Sequence, residues 1–278
     1  MSRAVDILEA WIKMQKHFMK KDLPRNFLEN AIIANKGSLE RTKQRLDKIC
    51  TFRTMLPDFF GENLIKYKFG DLDMFQCILL PKPTDEHYRV FLMKVNGSTF
   101  TAENILNFYR YAVLICEYIL AYDYCTGVMI VIDYNDANIL EIIKALNITE
   151  LREIFAIVTE GFSMRLKGMH LITPSKAIDT LVTIFKSLIA PKLAKRIGVH
   201  RDLSTIFEYV PQDLLPKEYG GKENSVAQLC DELRNELTGD DFVNYIKEMN
   251  KAKTEESCRQ NDKFNESYLG MPGSFRTL

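Results

Sequence analysis

An excess of charge of either sign is what this sequence lacks most plainly. Its 37 basic and 37 acidic residues cancel over 278 residues, giving a formal net charge of zero. This excludes a whole-protein field that gathers nucleic acid, and any electrostatic partner must meet a local patch. Long apolar runs are missing too. None approaches the roughly 18 residues of a membrane span. The longest candidate, YAVLICEYILAY, is interrupted by Glu117. The start, MSRAVDILEAWIKM, spaces its charges as a helix does and has no signal-peptide core. A cytoplasmic protein is expected, one that meets membranes only from the surface and only transiently.

Patterns for catalysis and metal binding are absent as well. The six cysteines (Cys50, Cys77, Cys116, Cys125, Cys230, Cys258) contain no C-x-x-C pair and read as reduced, mostly buried thiols. His17, His87, His170 and His200 are scattered, without metal-ligand spacing. There is no G-x-S-x-G elbow, P-loop, G-x-G-x-x-G or H-E-x-x-H. The expectation is a protein that is no enzyme and uses no cofactor or metal. His170 sits in an apolar strand and reads as a hydrogen-bonded core residue. Asp133 ends a strand and reads as a cap on the next turn. Gly220 and Gly221 in EYGG read as a tight turn.

What is present is an ordered change of periodicity. Up to about Phe60 the chain reads as helices: Val5, Leu8, Trp11 and Ile12 share a helical face, PRNFLENAIIA follows a breaker, and Ser38 can cap LERTKQRLDKICTFRTML. MFQCILL and YRVFLMKV then read as strands joined by a polar turn. AENILNFYRYAVLICEYILAYD is a long helix. GVMIVIDY is a strand buried on both faces. ILEIIKALNITELREIFAIVTEGF is one helical stretch, LKGMHLITPS a buried strand, and SVAQLCDELRNELTGDDFVNYIKEMN adds helices at the end. Alternating helices and strands predict an α/β core on a parallel or mixed sheet.

The stretch DTLVTIFKSLIAPKLAKRI joins two unlike parts. Ile178, Leu181, Val182, Ile184, Phe185, Leu188 and Ile189 fall on one helical arc. From periodicity alone this is a surface helix packed on the sheet. Around it, from Arg165 to Arg201, stand eight basic residues and one acid, Asp179. A solvated face is one reading. An anionic membrane surface, which attracts each nearby Lys or Arg by about 1 kcal/mol, is another.

Several blocks together resemble the CRAL-TRIO, or Sec14-like, lipid-binding family. They are LLPKEYGG (Leu214 to Gly221) preceded by KLAKRIGVHRDLSTIFEYVPQD, the central GVMIVIDYND, RLKGMHLITPSKAIDTLVTIFK, and LERTKQRLDK in the helical part. The tail GMPGSFRTL looks like that of insect members related to the tocopherol and retinal carriers. The resemblance implies an N-terminal helical domain over residues 1–70, an α/β lipid-binding domain over 71–250, and a polar linker and tail over 251–278. It implies a mixed sheet flooring an apolar pocket under a mobile gate helix. The implied function is carriage of one lipophilic molecule (retinoid, carotenoid, tocopherol-like or other isoprenoid) and its exchange at phosphoinositide-containing membranes by a monomer. A phospholipid or phosphatidylinositol exchanger, and a membrane-recruited adaptor with no carried ligand, remain open beside it.

By the same resemblance Arg165, Lys167, Lys192 and Arg196 match the basic residues that bind a phosphoinositide headgroup. Asn35 stands where many relatives are basic. Arg110 and Leu114 stand where tocopherol carriers have small hydroxyl residues, so vitamin E does not carry over. Arg110 either faces the pocket, implying a ligand with a polar or acidic end, or faces solvent or pairs with Glu103 or Glu117. The expected pocket walls are Leu114, Val128, Ile130, Ile132, Ile154, Ile157, Val158 and Met169, with Ile178, Leu181, Val182, Phe185 and Ile189 from the lid. Plain core packing would use the same residue types.

Overall fold

The computed structural model describes residues 1–60 and 74–259. Three helices form an N-terminal bundle: α1 (Ser2–Met14), α2 (Arg25–Ala34) and α3 (Leu39–Met55). Val5, Leu8 and Ile12, spaced three and four apart on α1, are all buried. The Ser38 hydroxyl caps α3 by accepting from the Arg41 backbone N–H at 3.4 Å.

A five-stranded sheet follows, in the order β1 (Phe75–Leu79), β2 (Tyr88–Gly97), β3 (Gly127–Ala137), β4 (Leu166–Ile172) and β5 (Ile197–His200). β1 and β2 are antiparallel, as a short polar turn requires. The other pairs are parallel, joined by helical crossovers: α4 (Ala102–Tyr122), then α5 (Ile139–Ala145) and α6 (Ile148–Ala156), then α7 (Ile178–Leu188) and the single turn α8 (Pro191–Ala194). α9 (Val226–Thr238) and α10 (Asp240–Met249) are the last α-helices among the described residues.

Three local expectations change. The stretch from Ile139 is two helices, because the Asn147 side chain accepts from Thr149 and Glu150 N–H and starts α6 afresh. α6 then runs into a wide π turn, Ile157–Gly161. β5 was not expected: it is only four residues long and contains Gly198, so it carries little strand signal. Residues 251–259 are no free linker. Met19 N–H donates to Lys253 O at 3.0 Å, Glu255 N–H donates to His17 O at 2.8 Å, and Arg259 grips Asp47 at 2.7 and 2.9 Å. The boundary expected at residue 70 and the tail GMPGSFRTL lie outside the described residues.

β3 is buried on both faces, which divides the core into two layers. On one side, Ile78, Leu92, Val131 and Ile172 pack under Val210, Leu215, Tyr219 and Leu229. LLPKEYGG holds this layer in place. Tyr219 Oη donates to Asp133 Oδ2 at 2.9 Å, and Asp133 Oδ1 accepts from the Asn135 N–H at 2.9 Å. The Glu218 carboxylate receives the Val226 N–H at the head of α9. Gly220 turns the chain at φ +74°, and a Cβ on Gly221 would lie 1.8 Å from the Leu215 carbonyl oxygen. The motif is therefore a structural clasp.

His170 and His200 join β4 to β5 on the same side, with Nδ1 of one 2.9 Å from Nε2 of the other and Tyr209 packed 4.1 Å from the His170 ring. Burial, then the His200 neighbour, pushes the His170 pKa down to about 4, and burial lowers that of His200. The unfolded chain titrates near 6.5 and so binds protons that the folded pair refuses. The stability of the neutral pair is complete above about pH 6.5 and is lost as pH falls towards about 4.

The charge that interrupts the apolar run of α4 is paired. Arg53 of α3 donates through a terminal guanidinium nitrogen to Glu117 Oε1, with both side chains almost fully buried and the guanidinium 5.8 Å from the Phe60 ring centre. This pair ties the bundle to the α/β part. Glu117→Leu alone should cost about 3–5 kcal/mol in denaturant unfolding because it strands a buried cation. Adding Arg53→Met should recover most of that loss; a single variant as stable as the parent would contradict the assignment. For the histidine pair, His170→Asn should flatten the loss of stability between pH 6.5 and 4, and an unchanged acid limb would count against it.

Candidate functional site

The other face of the sheet meets its helices less completely. Between them lies an apolar cavity of about 160 Å³. Its floor comes from alternate residues of two strands, Phe91 and Met93 of β2 and Val128, Ile130 and Ile132 of β3, and from Leu166 and Met169 of β4, which a register shift brings opposite Val128 and Ile130. One wall is a stripe on α4, Ile105, Phe108, Tyr109, Ala112, Ile115 and Ile119, at the helical period. Another is Ile154 and Phe155 of α6 with Val158 of the π turn. α7 closes the cavity with Leu181 and Phe185, one turn apart. Among the described residues no lining side chain is charged, and the hydroxyls belong to Tyr109 and Tyr134.

Of the residues expected on the walls, Val128, Ile130, Ile132, Ile154, Val158, Met169, Leu181 and Phe185 line this cavity. Leu114, Ile157, Ile178 and Val182 are buried in the surrounding core but are not on its surface. Ile189 lies past the end of α7 and lines a separate outer groove. Arg110 turns away: its Nε donates to the Asp58 carbonyl at 2.7 Å and a terminal nitrogen donates to Asn107 Oδ1 at 2.7 Å. It is one step off the α4 stripe, and the spacing of 105, 108, 112, 115 and 119 carried that information. The cavity-lining residues of β1 and β2, Phe75, Phe91, Met93 and Val95, were not selected, because strands recognised only as apolar and β-forming do not say which face is which.

α7 is held mainly by packing. Ile178 and Leu181 are fully buried, and the Phe185 ring meets Phe155 edge-on at 5.6 Å. Its first turn has no side-chain cap, and Thr183 and Ser187 fold their hydroxyls back on the helix. Beyond α7 the chain reaches the edge where the parallel strands begin. Arg165 O accepts from the Val128 N–H, and Arg196 O accepts from the Met169 N–H, so both residues stand at that edge. Arg196 also donates to Leu166 O through its side chain. Lys167 lays its ammonium 4.2 Å from the Tyr88 ring centre, with its stem in the space that a Cβ on Gly127 would take. Lys192 is exposed on α8.

Arg165, Lys167 and Arg196 thus stand at one edge of the sheet, and Lys192, on α8, lies four residues before Arg196. Open α/β enzymes use the opposite edge, at the carboxyl ends of the strands. Next to this edge an outer groove of about 630 Å³ runs between α3, α6 and the α7–α8 junction. It carries Arg45, Lys48 and Arg152, which the sequence analysis did not select. Lys48 pairs with Glu160 of the π turn at 2.5 Å, and Arg45 donates to the Glu160 carbonyl at 3.0 Å.

Comparison with known proteins bears on this geometry. The CRAL/TRIO domain matches residues 74–221, the sheet, the cavity helices and the closing clasp. The chain belongs to the CRAL/TRIO family. This is a family of lipid-binding and lipid-transfer proteins. Similar proteins include the alpha-tocopherol transfer protein-like protein of Mus musculus, 24% identical over 225 residues, covering 79% of this chain and 64% of the relative. The Homo sapiens protein of the same name is 29% identical over 98 residues, or 34% of this chain and 28% of that one. The chain therefore spans less than two-thirds of the length of these relatives. The crystal structure of Sfh5 superposes with a TM-score of 0.55 at 14% identity, covering 82% of this chain and 90% of that one, and it supports the fold. Among the described residues no helix is long and apolar enough to cross a membrane.

In this CRAL/TRIO domain the contribution of α7 packing can be measured directly. Phe185→Ala should destabilise the protein by about 3 kcal/mol, the low end for a buried phenylalanine because one side of the ring already faces a cavity. Denaturant unfolding checks this, and a cost near zero would mean that α7 does not rest on Phe155.

Proposed function

We propose that this protein carries one hydrophobic small molecule in the cavity beneath α7 and exchanges it at membranes bearing phosphorylated headgroups. The observation that carries the reading is the cavity itself: a space that no charged side chain among the described residues lines, closed by two apolar side chains of a single helix whose exit leads to a basic edge. A retinoid, carotenoid, tocopherol-like or other isoprenoid molecule fits that chemistry. At about 160 Å³ the cavity is smaller than the 300–1,000 Å³ of typical ligand pockets, so a cargo needs the wall to yield. A single isoprenoid chain asks less of it than two acyl chains with a headgroup. Arg165, Lys167, Lys192 and Arg196 are assigned to the membrane's anionic headgroups. The protein acts alone, as a carrier and not as a catalyst.

The physical cycle follows from burial. With cargo in place, the apolar arc of α7 is removed from water at roughly 25 cal/mol per Å². Lifting α7 forfeits that gain in water but regains it against lipid. Docking of the basic edge puts α7 where the exchange costs least.

Lys192→Ala with Arg196→Ala should weaken binding to phosphatidylcholine vesicles containing phosphatidylinositol bisphosphate by about 2 kcal/mol, roughly thirtyfold. Loading with cargo should be unchanged. Undiminished vesicle binding would remove the headgroup assignment. Native mass spectrometry of the protein from its own source tests the cargo: a co-purified diacyl phospholipid would replace the small-molecule reading with phospholipid exchange.

A further inference from the structure

We propose that Tyr109 is the polar anchor of the cavity and that its preferred cargo is an apolar molecule ending in one hydrogen-bond-accepting oxygen. The inference rests on the carrier reading above and adds what kind of molecule is carried.

Tyr109 stands in the middle of the α4 stripe that walls the cavity. The residue is 4% exposed, and its hydroxyl is buried with no hydrogen-bond partner among the described residues. Buried polar groups are nearly always paired, and an exception inside an apolar ligand cavity marks where a ligand atom completes the bond. The rest of the lining cannot do so. Among the described residues it is hydrocarbon and sulfur apart from Tyr134, on β3, whose phenol is near enough to add to the upward shift of Tyr109. Burial, with Tyr134 and Glu150 adding to it, holds the Tyr109 phenol protonated far above neutral pH. It therefore offers an O–H donor at every physiological pH, and the complementary ligand group is an acceptor. Arg110, the next residue, is engaged with Asp58 and Asn107 outside the cavity, and among the described residues no cation lines it to favour a carboxylate. The chemistry points to an alcohol, ether or carbonyl oxygen rather than an acid.

The cargo is unidentified, so the probes are farnesol, its methyl ether and the matching alkane farnesane. Delipidated full-length protein is equilibrated with phosphatidylcholine vesicles holding equal amounts of each, and the retained molecules are extracted and counted, with correction for vesicle partition. The parent protein should favour farnesol over farnesane about tenfold, the value of one well-made buried hydrogen bond. Tyr109→Phe should hold the two equally, with farnesane retention unchanged. The methyl ether accepts but cannot donate, and the parent protein should prefer it to farnesane too. This last comparison needs no variant and stands even if Tyr109→Phe folds poorly. A parent protein that holds all three alike, a variant that keeps the preference, or an ether treated like the alkane would each overturn the assignment to Tyr109. Retention of none of the three would instead defeat the carrier reading, and this inference with it.

Discussion

The constraint on which the rest depends is that a mostly parallel sheet must be covered on both faces. β3 is the central case, with Val131 turned to one layer and Ile130 and Ile132 to the other. The two covers are not alike. One is tight, closed by the Tyr219–Asp133 hydrogen bond, the turn at Gly220 and Gly221, and the histidine pair. The other is built from helices that arch over the sheet and leave a space between. The rigid face makes the hollow face possible, because the strands that floor the cavity are fixed from behind.

The covering helices differ in how firmly they are held. α4 is pinned to the N-terminal bundle by the buried Arg53–Glu117 pair, and the bundle is strapped in turn by residues 251–259. α7 has no comparable polar tie to α6: beyond an exposed, 3.8 Å pairing of its Asp179 with Arg201, it is held by apolar contacts. Such contacts can be exchanged for lipid at little cost, whereas a buried ion pair cannot. α7 is therefore the element best suited to move, and it connects through Pro191 to the basic residues at the starting edge of the parallel strands. The π turn between the cavity and the outer groove adds a second link, with Val158 on one and Glu160 on the other.

Much of this was legible in the amino-acid sequence, for definable reasons. Helices with a polar face, the short apolar, β-forming runs of β1 and β2, and the apolar β3 all follow from period and composition. LLPKEYGG pointed to the right family although its residues work as a clasp rather than as a binding site. Legibility failed where a decision depended on neighbours distant in the chain. β5 exists because β4 offers it a partner edge. Residues 251–259 are ordered by contacts to His17, Met19 and Asp47. Arg110 was placed by resemblance, while the period of α4 alone puts Tyr109 and not Arg110 on the cavity side. Arg45, Lys48 and Arg152 come together only when α3 packs beside α6.

The central claim is that α7 is a lid whose release is coupled to the basic edge. Hydrogen exchange of the full-length protein, with neutral or with phosphoinositide-containing vesicles, tests it most directly. The account predicts faster exchange in residues 178–188 with the anionic vesicles alone, while β3 and β4 stay protected. Unchanged exchange in α7, or equal acceleration by neutral vesicles, would contradict it.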